Sequence, residues 1–216
     1  MNIALIGASG FVGKAILNEL VAKGHHVTAI VRDITRLTVS EKIKPVKADA
    51  FNEDEIAKAV KGSEVVVSAY NAGWTNPDLY GEFIRGAKAI QAGVKKAKVK
   101  RLIVIGGAGS LFIAPGLQVV DTEGFPPEWK PGALAARDYL NILREETELD
   151  WTFVSPALEM HQGTSGIRTG VYRSGLDNPV FDANGRSIIS VEDIAVAVAD
   201  EVADPKHVRQ RFIVAY

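Results

Sequence analysis

Four apolar residues, Ile3-Ala4-Leu5-Ile6, lead straight into Gly7, Gly10 and Gly13, and a helical pattern follows over residues 14–23. A buried strand, a glycine turn and a helix in that order predict a βα unit whose turn must be approached closely. Gly7 suits a tight turn off the strand. Gly10 leaves the backbone bare where a pyrophosphate would come near, and Gly13 lets the helix pack against the sheet. The free N–H groups and positive end of the helix would face that phosphate. Gly7, Ala8, Ser9, Gly10, Phe11, Val12 and Gly13 are therefore candidate dinucleotide-binding residues. A flexible turn with no ligand is the bland alternative, and the strand before and helix after weigh against it. The phosphate loop of nucleoside triphosphatases is excluded. It needs four residues between its glycines and Ser or Thr after the lysine; here five residues separate Gly7 from Gly13, and Ala15 follows Lys14.

Beyond the first helix, strand and helix patterns keep alternating. Strands are expected at 26–32, 42–47, 65–69, 101–105 and 151–155, and helices at 52–60, from 77 or 78 to 97, and at 133–146. The run 65–69 is apolar almost throughout, as when both faces of a sheet are covered. Residues 111–131 read as loop, broken by Pro115, Pro126, Pro127 and Pro131. The alternation lapses over 157–187, a glycine-rich, hairpin-like stretch, before a helix at 191–203 and a strand at 211–214. The expected fold class is α/β, a doubly wound parallel sheet of the NAD(P)-binding Rossmann kind. A single domain over 1–216 is expected, with 157–187 as a small substrate-side elaboration.

Composition removes several functions. A net charge of −1 gives no broad attraction to nucleic acid or anionic membrane. The basic run Lys95-Lys96-Ala97-Lys98-Val99-Lys100-Arg101 reads as a solvated helix end. With no cysteine there is no disulfide, thiol chemistry or thiolate-held metal, and no His, Asp and Glu have metal-ligand spacing, so no metal is expected. The opening residues lack the pattern of a secretory leader and no stretch has the ~18 apolar residues of a membrane span. A cytoplasmic protein is expected, its oligomeric state unspecified.

In a doubly wound sheet, ligands lie past the C-terminal ends of the strands. A carboxylate at the end of the second strand suits the ribose 2′-hydroxyl of NAD, and a guanidinium suits the 2′-phosphate of NADP. Arg32 holds that point and Asp33 follows, which favours NADP(H) over NAD(H); a solvated turn pair is the alternative. Asp49 is placed to bond the adenine amino group or to cap the helix starting at Asn52. Ala50, Ala69, Tyr70, Asn71, Gly106 and Gly107 follow later strands and join the cofactor set. On the substrate side, Ser110 either bonds a substrate oxygen or caps its loop. Trp74, Phe112 and Trp129 stand in loops where a flat acceptor could stack or where they simply pack. His161 is a further candidate, with a structural role as its alternative.

Residues 7–13, Val31-Arg32-Asp33, Asp49, Gly106-Gly107-Ala108-Gly109 and Leu149-Asp150-Trp151-Thr152-Phe153-Val154-Ser155-Pro156 together give the chain a wider likeness. It resembles the atypical short-chain dehydrogenase/reductases, and within them the NAD(P)H-binding branch of NADH-flavin reductases, akin to biliverdin reductase B and NmrA-like proteins. The stretches 126–131, 188–193 and 205–212 share the likeness. The resemblance implies a dinucleotide under the first loop and a substrate cleft roofed by the C-terminal third.

One departure matters chemically. Conventional members of that superfamily use a Tyr-x-x-x-Lys pair and a serine to move a proton at a carbinol oxygen. Here Tyr70, Tyr80, Tyr139 and Tyr172 are followed at that spacing by Trp74, Ile84, Leu143 and Leu176. The pair's places fall near Ala133 and Arg137, and the serine's near Gly107. A positioned acid is typically worth ~10²–10⁴-fold, whereas hydride transfer to a conjugated acceptor needs far less help. The expected activity is hydride transfer from NAD(P)H to a flavin (FMN or FAD among them), a quinone or a similar aromatic or conjugated small molecule. A non-catalytic NADP(H) sensor is the alternative, and a sugar-nucleotide epimerase or dehydratase a third.

Overall fold

In β1 (Asn2–Ile6) alternate side chains enter two separate cores. Ile3 and Leu5 pack with Ile16, Leu17 and Leu20 of α1 (Phe11–Ala22) and with Ile194 and Val198 of α5 (Val191–Ala203). Ala4 and Ile6 face the other way, toward α2 (Glu53–Val60), α3 (Leu79–Lys96) and α4 (Lys130–Arg144). The same division runs through β4 (Val65–Ser68) and β5 (Arg101–Ile105), so strands of nearly unbroken apolar sequence still have two distinct faces.

The computed structural model describes residues 1–216. The other strands are β2 (His26–Val31), β3 (Ile43–Lys47), β8 (Asp150–Pro156), β9 (Arg173–Gly175) and β10 (Gln210–Ala215), with a small hairpin of β6 (Phe112–Ala114) and β7 (Leu117–Gln118). The main sheet runs β3-β2-β1-β4-β5-β8-β10-β9 and is parallel except at β9. Strand order reverses between β1 and β4, and that switch point is where this fold class opens a crevice.

Two local expectations need correction. α4 begins at Lys130 rather than residue 133, because Pro131 sits in its first turn, where a missing N–H goes unnoticed. The stretch 157–187 forms no hairpin with itself: β9 adds antiparallel to the outer edge of β10. Residues 166–172 lie along the α1/α5 layer as a strap, with Arg168 bidentate on Glu19 at 2.8 Å and the Tyr172 hydroxyl donating to Asp200 at 3.0 Å.

The strap is fastened at Asp193, which is fully buried at the start of α5. Its Oδ2 accepts from the Thr169 N–H and hydroxyl and from the Tyr216 hydroxyl at 3.0, 2.7 and 2.6 Å, and its Oδ1 from the Gly170 N–H at 2.8 Å. Burial alone would raise the carboxyl, but these donors, Tyr216 foremost, outweigh it and hold it below the ordinary 3.8. A depressed native carboxyl stabilises the fold above its unfolded pKa and stops doing so as pH falls through the native value. Asp193→Asn should therefore lower stability at pH 7 and flatten the loss of stability below about pH 4. Urea unfolding of both proteins at pH 7 and pH 3 measures this, and an equal pH dependence would refute it.

A second buried cluster closes the opposite end of the sheet. Glu201 Oε1 accepts from Arg101 Nη2 at 2.7 Å, and its Oε2 lies 2.8 Å from His207 Nδ1. Arg101 Nη1 also donates to the Thr152 hydroxyl at 2.7 Å. His207, which reads in the sequence as part of a polar tail, stacks on Phe212 at 4.1 Å. No helix is long and apolar enough to cross a membrane.

Candidate dinucleotide site

Gly7 and Gly13 are glycines for reasons internal to the turn. Gly7 has φ +80° and a Cβ there would meet the Ala69 carbonyl oxygen at 2.6 Å; at Gly13 a Cβ would lie 2.0 Å from the Gly7 carbonyl oxygen. Gly10 differs. A Cβ there meets nothing closer than 3.4 Å, so its bareness serves the space outside. Gly10 caps α1 without a side-chain bond, the first turn carries no acid, and the N–H groups of Phe11, Val12 and Gly13 have no partner in the chain. Such a helix start accepts phosphate oxygens.

Beside it lies a cleft of about 190 Å³ between the ends of β1, β2, β3 and β4. Gly7, Ser9, Gly10, Arg32, Asp49, Ala50, Ala69, Tyr70 and Asn71 line it, all candidates from the sequence. Arg36, Phe51, Ala72 and Glu82 line it too, and sequence reasoning missed them. Arg36 arrives because Asp33 caps a 3-10 turn at Ile34–Arg36, accepting from the Thr35 N–H at 3.0 Å and its hydroxyl at 2.7 Å. Those bonds hold the Asp33 carboxyl below its usual range. They also occupy it, whereas neither Arg32 nor Arg36 has an ion-pair partner, so the cleft is lined by two guanidiniums free to take an anion, with Asp49 and Glu82 as its carboxylates.

Asp49 does not cap α2. Asn52 does, accepting from the N–H groups of Asp54 and Glu55, while Asp49 Oδ1 accepts from the Phe51 N–H at 3.0 Å. Tyr70 donates its hydroxyl to the Glu82 carbonyl at 3.0 Å, and its ring stacks on Phe83 at 5.9 Å. Burial first, then the Glu82 charge, push its phenol up to about 12. Arg85 covers the Phe51 ring at 4.3 Å. Ala8 is buried inside the turn.

The substrate-side candidates are dispersed. Ser110 is buried at 2% exposure, and its hydroxyl accepts from Arg211 Nη1 at 3.2 Å. That bond, with Arg211 also paired to Asp177, braces the β5 turn from within. His161 Nδ1 accepts from the Gly163 N–H at 3.0 Å and caps a 3-10 turn at Gln162–Thr164. Phe112 sits in β6, its carbonyl held by Asn178 Nδ2 at 2.7 Å. Trp74 and Trp129 are exposed beside the start of α4. Gly106 and Gly107 end β5, where the Ser155 hydroxyl donates to the Gly107 carbonyl at 3.0 Å. A Cβ at Gly107 would touch Ala136 at 3.5 Å, and one at Gly109 would crowd Ala133 at 2.9 Å. Ala133 and Ala136 thus face the β5 turn. Arg137 is engaged by Asp121 and Asp138 at 3.1 and 3.2 Å.

A doubly wound sheet with an uncapped helix start beside a crevice at its switch point is a dinucleotide-binding Rossmann protein. The chain belongs to the NAD(P)H-binding family, whose sequence profile matches residues 7–205. It is similar to the YwnB protein of Bacillus subtilis, 38% identical over 216 residues, 99% of this chain and 98% of that one. The solved structure of a candidate epimerase from Bacteroides thetaiotaomicron matches with a TM-score of 0.91 at 46% identity, covering 100% of this chain and 96% of that one. A candidate NADH-flavin reductase from Streptococcus pneumoniae matches with a TM-score of 0.86 at 34% identity, covering 100% and 99%. The resemblance read from the sequence is borne out at the level of family and fold.

Proposed function

We propose that this protein is an NADPH-preferring reductase that passes hydride to a flavin, quinone or similar conjugated acceptor. The observation that carries the reading is the pairing of two arginines without ion-pair partners in the cleft, Arg32 and Arg36, with a small-residue face on α4. When bound, the dihydronicotinamide supplies the hydride; a proton reaches the acceptor from water. The N–H groups of Phe11, Val12 and Gly13 receive the pyrophosphate, and Arg32 with Arg36 receives the 2′-phosphate. Asp49, in the cleft lining, would accept from the adenine amino group. Ala133 presents a methyl group to the β5 turn, and the Tyr70 hydroxyl is turned to the Glu82 carbonyl. An acceptor that delocalises the incoming charge is the substrate such a site can serve.

The decisive experiment follows NADPH oxidation with and without riboflavin, FMN and quinones; no acceptor-dependent rate with any of them would overturn the reading. Tight binding without turnover would favour the sensor. Conversion of a nucleotide sugar would favour an epimerase, the activity suggested by the name of the Bacteroides relative.

Cofactor preference has its own test. Arg32→Ala and Arg36→Ala should each weaken NADPH by roughly 10–100-fold, the range of a lost charge-assisted hydrogen bond. NADH should change by less than about threefold, since it has no 2′-phosphate. Calorimetry with both nucleotides measures the difference, and equal losses would refute the assignment.

A further inference from the structure

The loop after β4 runs from the cleft to the front of α4, and one asparagine crosslinks it. Asn71 and Ala72 line the cleft. A little further on, the Trp74 indole lies against Gly132, where a Cβ would meet its Cζ3 at 2.8 Å. The Asn76 N–H donates to the Gly73 carbonyl at 3.0 Å, and its Nδ2 to the Ala72 carbonyl at 3.2 Å. Its Oδ1 accepts from the Asp78 N–H at 2.9 Å. The same Nδ2 donates to Glu82 Oε2 at 2.6 Å, and Glu82 is itself a wall of the cleft. A nucleotide in the cleft would therefore lie beside Glu82, whose carboxylate anchors the Trp74 loop through Asn76 and also meets Arg85 at 3.6 Å.

Trp74 remains 61% exposed although its loop is firmly braced. An open indole on an ordered loop presents a flat, apolar face at low entropic cost. It also stands next to the helix turn whose Ala133 and Ala136 face Gly109 and Gly107. We infer that Trp74 is the stacking platform for the planar acceptor, and that Glu82, acting through Asn76, is the positioning residue that makes this platform respond to nucleotide. The inference rests on the reductase reading and deepens it: extended flat rings are selected over small carbonyl compounds, and nucleotide binds first.

With Trp129 and Trp151 changed to phenylalanine, Trp74 is the sole indole. Its emission should shift when NADPH is added, and Asn76→Ala should erase the shift while NADPH affinity by calorimetry stays within about twofold. Should Trp151→Phe fail to fold, the difference in emission between wild type and Trp74→Phe supplies the same signal. Trp74→Ala should raise the KM for riboflavin about tenfold with little change in that for NADPH, and Trp74→Phe should recover most of the loss. Glu82→Ala should raise the riboflavin KM, and Glu82→Gln, whose amide oxygen still accepts from Asn76, should recover part of it. Wild-type turnover with unmoved Trp74 emission and an unchanged riboflavin KM in Trp74→Ala would overturn the platform and leave the reductase standing. Absence of NADPH binding would overturn both.

Discussion

Gly13→Ala is expected to destabilise the protein by roughly 3 kcal/mol or more, the upper end of what overpacking does. The new Cβ would fall 2.0 Å from the Gly7 carbonyl oxygen and 2.8 Å from its carbon. Both are backbone atoms of a turn already held between β1 and β4, so neither can swing aside. Gly10→Ala is the informative contrast. Its Cβ would make only an ordinary contact at 3.4 Å, so the melting temperature should stay near that of the wild type. The methyl group would nevertheless project from a residue that lines the cleft, and dinucleotide affinity should fall by roughly tenfold or more. Thermal melts and calorimetry on the two variants separate the fold's demand for glycine from the ligand's. A Gly10→Ala protein that binds NADPH normally would remove that residue from the phosphate cradle.

Glu201→Ala should be as damaging, by about 3–5 kcal/mol, because it strands the Arg101 guanidinium in the interior. Arg101 Nε already has no partner, and its Nη2 would lose the carboxylate that neutralises it. Burial already pulls the Arg101 guanidinium below its usual range, with Glu201 as the chief opposing influence. For a chain of this size the melting temperature should drop by roughly 6–20 °C. Replacing both partners, as in Arg101→Met with Glu201→Leu, should recover much of the loss, since no charge is then left without a partner. A single variant that melts like the wild type would show that water reaches the cluster.

What could be read in advance was local. The β1 turn was legible because strand periodicity, glycine spacing and the helix start lie within a dozen residues and each has its own physical demand. Arg32 was legible because the end of a second strand has one position in this fold. Arg36 was not: it reaches the cleft only because Asp33 turns back onto Thr35 and closes a 3-10 turn. Glu82 lies on another element, and no spacing rule connects it to Asn76. Ser110 looked available from its place after a glycine turn, but Arg211, far along the chain, crosses the sheet to bond it. The strap was not legible because its attachments, Thr169 to Asp193 and Arg168 to Glu19, span long stretches of sequence.

Those attachments are one of two sets that fasten the C-terminal third to the rest of the fold. Residues 166–172 are stitched through Arg168 and Glu19 to α1, the helix that begins at the glycine turn. Residues 176–187 are pinned at Asp177 by Arg211, at Asn178 by the Phe112 carbonyl and at Arg186 by Glu159, and carry exposed Leu176 and Phe181. Exchanging Leu176 or Phe181, both on the outside, should therefore cost the fold little.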